Sequence, residues 1–331
     1  MHTTEELEEF LSRPMAADVA ALSRLDGDIL VLGAGGKMGP TLVRRAWRAS
    51  LESGRNGGVI AVARSGGFPD GVRHIAADLL DRSAIERLPD APNVVYLVGR
   101  KFGSSGNEPL TWATNAVVPV FVAERYAGSR MVVLSTGNVY PFVARDSGGA
   151  VESTPTAPVG EYAQSALARE RIFEYYSQSK GTPTAIIRLN YAVEPRYGVL
   201  VDIATKILNG TPVDVTMGYV NFIWQGDANS VCIRALEHGT SPARVFNLTG
   251  NETYSVRELA ERIGGRLGMK PTFTGEEAET ALLSNASVCR DVFGPTSMGV
   301  DEMIVMILDW LSAGGSTLGK ATHFETRSGR F

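Results

Sequence analysis

The chain has 331 residues, and 44% are hydrophobic, enough to bury a substantial core as one large domain or two smaller ones. A formal net charge of −4, with no block of like charge, excludes a basic footprint for nucleic acid. No apolar run approaches the roughly 20 residues that span a membrane. The two cysteines, Cys232 and Cys289, stand far apart without a C-x-x-C pair, so neither a disulfide framework nor a metal centre is expected, and a reducing compartment fits. The acidic start Glu5-Glu6-Leu7-Glu8-Glu9 resembles neither a secretory signal nor a transit peptide. The expectation is a cytoplasmic protein with a small-molecule substrate and no nucleic-acid or membrane partner.

In chain order, residues 3–25 read as one or two amphipathic helices without evident chemistry. Ile29-Leu30-Val31-Leu32 is a short continuous apolar run, the pattern of a strand buried on both faces. A glycine cluster follows, and then the helical spacing of residues 40–47. Further strands are predicted at 57–64, 74–79, 93–99, 130–135 and 184–189, separated by helices at 83–88, 111–126 and 161–179. This alternation implies right-handed crossovers and an α/β, Rossmann-type doubly wound parallel sheet. Beyond residue 190 the segments shorten. Small strands are expected at 220–224 and 244–248, and helices at 226–238, 255–267 and 301–311, the second opened by a Ser255-x-x-Glu258 capping box.

Strand, glycine turn and helix in succession form the context in which glycines cradle a pyrophosphate. Small residues let the backbone approach, and the helix N-terminus offers N–H donors and a positive dipole end. G-x-G-x-x-G fails because Met38 is not glycine, whereas G-x-x-G-x-x-G fits Gly33, Gly36 and Gly39. That spacing resembles the extended short-chain dehydrogenase/reductases, the superfamily of NAD-dependent epimerases and dehydratases, over roughly residues 28–312.

The resemblance implies a Rossmann domain over residues 28–190, with 220–250 returning to it, and a substrate-binding lid from 191–219 and 251–312. An N-terminal helical extension (1–27) and a C-terminal tail (313–331) flank these. It assigns Lys37 and Met38, with the three glycines, and Val98 and Gly99 at the end of the fourth strand to the cofactor. Asp78-Leu79 matches the acidic-apolar pair beside the adenine, although Asp78 could equally cap the next turn. An acid at the end of the second strand would select NAD and an arginine NADP. No acid occurs between Arg55 and Pro69, and Arg64 stands at the strand end, which favours NADP over NAD.

Leu134-Ser135-Thr136-Gly137-Asn138-Val139-Tyr140 resembles the strand-end motif that carries the catalytic hydroxyl. The register places that role on Thr136, with Ser135 the neighbour most easily confused with it, and makes Asn138 a substrate contact, although Asn138 and Tyr140 could equally be loop packing. Tyr162, Ser165 and Glu170 match the helix segment bearing the active tyrosine, and Asn115 matches the asparagine that holds this region in place. A free phenol has a pKa of about 10, poorly matched to neutral pH. The family answers with a lysine four residues on, and here that position is Ala166. Another cation could compensate: Arg169 lies about 10 Å along the helix axis from Tyr162, and Lys101 follows the fourth strand as the favoured substitute. Alternatively the chemistry tolerates the loss, or the chain is a nucleotide-binding sensor or a lyase that returns its hydride.

Arg188, Asn190 and Arg196 fall in the segment that carries substrate contacts, with the arginines as carboxylate binders, although Arg188 could instead brace the sheet. The arginine that grips a nucleotide-sugar diphosphate is replaced by Val220, and residues 278–284 contain no basic side chain. The expected reaction is therefore that of an NAD(P)-dependent oxidoreductase or epimerase on a small sugar, polyol or sugar acid. The family commonly forms homodimers through the helices after strands four and five.

Overall fold

The structure is a computed structural model that describes residues 3–330; Met1, His2 and Phe331 lie outside the described residues. Its centre is a seven-stranded parallel sheet: β1 (Ile29–Leu32), β2 (Val59–Ala63), β3 (Arg73–Ala76), β4 (Asn93–Tyr96), β5 (Arg130–Thr136), β6 (Thr184–Leu189) and β7 (Arg244–Leu248), in the order β7-β6-β5-β4-β1-β2-β3. The strands read as near-continuous apolar runs because helices cover both faces of the sheet. Every residue of β1, β2 and β4 is buried. The order reverses between β1 and β4, and the crevice outside the strand ends at such a switch point is where these folds take their ligands.

The covering helices used below are α1 (Thr4–Leu11), α2 (Ala16–Leu22), α3 (Gly39–Ser53), α4 (Val118–Arg125), α5 (Gly160–Lys180), α6 (Val199–Leu208), α7 (Gln225–Arg234), α8 (Val256–Leu267) and α9 (Val300–Ser312). Ser255 caps α8 by accepting the Glu258 N–H at 3.3 Å, as the capping pattern predicts. The helix expected over 111–126 is broken. A π-helical turn, Ala113–Val117, stands between Glu108–Trp112 and α4 and carries Asn115. The strand expected over 220–224 also divides: Tyr219–Val220 pairs antiparallel with Tyr254–Ser255, and Ile223–Trp224 pairs parallel with Ala192–Val193.

A second apolar core joins α6, α8 and α9 to Phe222 and Trp224, and Leu7 and Leu11 of α1 are buried in it. The N-terminal extension is thus part of the core. The Asp18 carboxylate of α2, itself 0% exposed, accepts from Arg45 Nε of α3 at 2.7 Å and from Ser230 Oγ of α7. The tail is equally engaged. Thr322 N donates to Asp202 at 2.8 Å, Phe324 is buried, and Arg327 Nη1 donates to the Thr280 carbonyl at 2.6 Å.

Candidate active site

The glycine turn after β1 is shaped by steric necessity. Gly33 has φ +81°, and a Cβ on it would stand 2.9 Å from the backbone N of Val98; one on Gly39 would stand 2.1 Å from the Ala34 carbonyl oxygen. Side chains at either position would push β1's turn away from the β4 loop or from its own helix. Gly36 has an ordinary φ, and its N–H donates to the Gly33 carbonyl at 3.0 Å. Backbone therefore faces the switch-point crevice directly, in front of the first turn of α3. This cradle fits a dinucleotide pyrophosphate.

The crevice has an interior of ≈ 280 Å³, and its lining includes Lys37 and Met38 from the turn, Gly99 and Lys101 from the β4 loop, Thr136 and Asn138 from β5 and its turn, and Tyr162 and Arg169 from α5. The nearly buried Thr136 Oγ1 accepts from Asn138 N at 3.2 Å and from Asn138 Nδ2 at 2.9 Å, which leaves its own proton to donate. Ser135 instead donates to the buried carboxylate of Glu170. The two neighbouring hydroxyls are thereby distinguished by what they touch.

Asn115, 0% exposed, ties two walls together. Its Oδ1 accepts from Arg100 N at 2.8 Å, and its Nδ2 donates to Arg100 O at 3.1 Å and to Ser165 Oγ at 2.9 Å. Ser165 Oγ in turn donates to the Tyr162 carbonyl at 2.9 Å. The π-helical turn thus anchors both the β4 loop and the first turn of α5.

Two lysines lie in desolvated positions. Lys37 Nζ donates to the Ala192 carbonyl at 2.8 Å and sits 4.3 Å from the Tyr197 ring centroid. Burial lowers its pKa to about 7, against an opposing pull from Glu194. Lys101 Nζ donates to the Thr322 carbonyl at 3.1 Å; burial lowers its pKa to about 8, with Asp202 and Glu325 opposing.

The substrate-side expectations divide. Arg188 is 3% exposed and belongs to the sheet: its Nη2 meets Glu170 Oε2 at 2.7 Å and its Nη1 meets the Tyr140 hydroxyl at 2.7 Å. Bracing, the alternative to carboxylate binding, is what this side chain does. Arg196 also departs from its expected role, because it pairs with Glu194 at 3.1 Å and with Glu8 at 3.3 Å, away from the crevice lining. Asn190 does line the crevice, where its Nδ2 donates to Asn221 Oδ1 at 2.6 Å. Arg64 and Asp78 follow the ends of β2 and β3, on the turn's side of the sheet, and both are exposed. Asp78 Oδ1 accepts the Leu80 N–H at 3.1 Å, while Leu79 beside it is buried.

Sequence reasoning missed three contributors. Tyr191 lines the crevice with φ +47°, a left-handed conformation rare for a bulky residue. Burial raises the phenol pKa of both Tyr191 and Tyr197. Lys320 of the tail also reaches the crevice, 5.2 Å from the Phe102 ring centroid. No motif announces any of them. Among the described residues there is no group of three or more metal-ligating side chains and no helix long and apolar enough to cross a membrane.

Residues 29–249 match the NAD dependent epimerase/dehydratase family. The chain belongs to that family. No curated protein matches it significantly in sequence. Solved structures share its fold. The Bordetella bronchiseptica enzyme WbmG, determined with NAD, has TM-score 0.72 and 19% identity over 90% of this chain and 98% of its own. The Thermus thermophilus UDP-glucose 4-epimerase, also determined with NAD, has TM-score 0.69 and 23% identity over 85% and 98%. An epimerase from Methanothermobacter thermautotrophicus has TM-score 0.74 and 16% identity over 90% and 96%. The family is one of NAD-dependent epimerase/dehydratase enzymes, and the doubly wound fold is common to all three.

Proposed function

We propose that this family member is an NAD(P)-dependent oxidoreductase or epimerase acting on a small sugar, polyol or sugar acid. The observation that carries the reading is the convergence of the Thr136 and Tyr162 side chains on the crevice that the glycine turn opens. Gly33, Gly36, Lys37, Met38 and Gly39 would hold the pyrophosphate, Val98 and Gly99 would border the nicotinamide, and Asp78 with Leu79 would flank the adenine. Arg64, at the end of β2 with no acid in the sequence between Arg55 and Pro69, supports NADP. A nicotinamide supplies a two-electron acceptor and donor. Thr136 Oγ1 would hydrogen-bond the substrate oxygen, Tyr162 Oη would hold or release its proton, and Asn115 would keep the two walls in register.

The missing phosphate clamps support a small substrate over a nucleotide sugar. Val220 stands where a diphosphate-binding arginine is expected, and residues 278–284 supply no basic side chain. The Thermus and Bordetella proteins set the opposing expectation, one being a UDP-glucose 4-epimerase and the other determined also with UDP. In this reading residues 28–190 and 220–250 bind the dinucleotide, and 191–219 with 251–312 cover the substrate. Val117 and Tyr175, exposed at 47% and 64% on the helical segments after β4 and β5, support a homodimer. The buried free thiols of Cys232 and Cys289 suit a reducing cytoplasm.

Thermal unfolding with NADPH and with NADH tests the cofactor assignment. A ligand at 100 times its dissociation constant stabilises the protein by about 2.7 kcal/mol, and the larger shift is expected with NADPH. A larger shift with NADH that is unaffected by Arg64→Asp overturns the NADP preference, and no shift with either overturns the cofactor assignment.

A further inference from the structure

Among the described residues three arginines are buried: Arg45 and Arg188, each 3% exposed, and Arg169, 4% exposed. Arg45 meets Asp18 at 2.6 Å and Arg188 meets Glu170 at 2.7 Å. Arg169 differs: among the described residues no carboxylate oxygen lies within 4.0 Å of it. Its Nη1 donates to the Val98 carbonyl at 2.7 Å, and its buried Nε has no hydrogen-bond partner among the described residues. A buried cation without a counter-charge is strongly unfavourable, and such groups persist where a ligand completes them.

The location says which ligand. Arg169 lines the crevice with Gly33, Thr136 and Tyr162, and its Nη1 lies so close to Gly99 that a Cβ there would stand 2.7 Å away. Helical side chains lean toward the helix N-terminus, so Arg169 leans toward Ala166 and Tyr162. Ala166 is 0% exposed and has only a methyl group to offer. Lys101 is placed differently, because its ammonium already meets the Thr322 carbonyl and faces Asp202 and Glu325.

We propose that Arg169 is a cofactor-binding residue, its guanidinium donating to the ribose hydroxyls of the nicotinamide half of the dinucleotide on the Tyr162 side of the crevice that it lines. This rests on the dinucleotide reading given above. Five N–H donors in a fixed fork suit adjacent hydroxyl oxygens, and one of the donors stays on Val98 to fix the side chain's direction.

The test compares wild type, Arg169→Met and the double variant Arg169→Met/Ala166→Lys, reading the thermal midpoint without ligand and the affinity for NADPH and NADH by nucleotide fluorescence. Arg169→Met is expected to keep or raise the ligand-free midpoint, because it removes an uncompensated charge. It should weaken the nucleotide by about ten-fold, the low end for a charge-assisted hydrogen bond. Ala166→Lys, restoring a cation one turn nearer Tyr162, is expected to recover most of that affinity. Unchanged nucleotide affinity in Arg169→Met overturns the proposal whatever the midpoint does, and a loss that Ala166→Lys fails to recover overturns the placement on the Tyr162 side of the crevice. A wild type that binds neither nucleotide overturns the cofactor reading as well, an outcome distinct from wild type and Arg169→Met binding equally.

Discussion

Arg169 and Glu170 are neighbours on α5, yet they serve different surroundings. Glu170 is completely buried and receives hydrogen bonds from Ser135 and from two donor nitrogens of Arg188. Arg188 continues to the Tyr140 hydroxyl, which donates to Asn247 Oδ1 at 2.8 Å. That network links β5, β6, β7 and α5 with its charges balanced. One residue earlier, a guanidinium with no carboxylate partner among the described residues faces the crevice beside Thr136 and Tyr162. The same helix therefore carries a closed ionic network on its sheet side and an open charge on its crevice side. A closed network fixes architecture, whereas an open charge leaves interaction free energy for a ligand.

Tyr162→Phe is the sharpest way to break this division. If the crevice side carries the chemistry, the variant folds normally and oxidation of a sugar-acid panel with the bound nucleotide falls about 10²–10⁴-fold, the span of general acid–base catalysis. Full activity removes Tyr162 from the reaction. Arg188→Ala attacks the other side. It strands the Glu170 carboxylate and should lower stability by about 3–5 kcal/mol in urea unfolding, while the protein that remains folded binds nucleotide as before. A selective loss of nucleotide affinity with normal stability would reassign Arg188 to the site. The hydroxyl pair then tests the boundary. Ser135→Ala should cost about 1–3 kcal/mol of stability by leaving Glu170 short of a donor, and Thr136→Val should chiefly slow turnover. The reverse pattern exchanges their roles.

The last prediction concerns pH. Burial lowers the Lys37 pKa to about 7, with Glu194 opposing and Arg196 and Lys101 reinforcing the shift. Between that value and the ordinary lysine range, the unfolded chain binds the proton that the folded chain has released. Stability contributed through Lys37 therefore rises with pH across that window, by at most about 1.4 kcal/mol per pH unit. Lys37→Met should flatten that slope in unfolding measurements from about pH 7 to about pH 9. An unchanged slope would mean that the ammonium is better solvated than its place against Ala192 and Tyr197 implies.

The sheet was legible because strands covered on both faces must be apolar throughout, and because Gly33 and Gly39 leave no room for a Cβ. The division of labour on α5 was only half legible. Spacing predicts that residues 162, 166 and 169 share a face, but distance along the axis takes no account of the backward lean of a long side chain, and both Arg169 and Lys101 line the crevice. Arg188 could not be assigned from sequence because its partners come from α5 and from the loop after β5. Lys320 was equally hidden. Its approach to the crevice depends on tail contacts with α6 and Thr280, which lie more than a hundred and about forty residues away along the chain.

The buried Asp18 node carries a consequence for synthesis. Asp18 meets Arg45 27 residues later but Ser230 only 212 residues later. At about 5–20 residues per second a ribosome takes about 10–40 s to cover the longer interval. Throughout that time α2 has no α7 to pack against, and its carboxylate remains in water with Arg45 as its available counter-charge. α2 can pack on α3 early but gains its Ser230 contact only when α7 arrives, and Leu7 and Leu11 of α1 wait longer still, for α8 and α9.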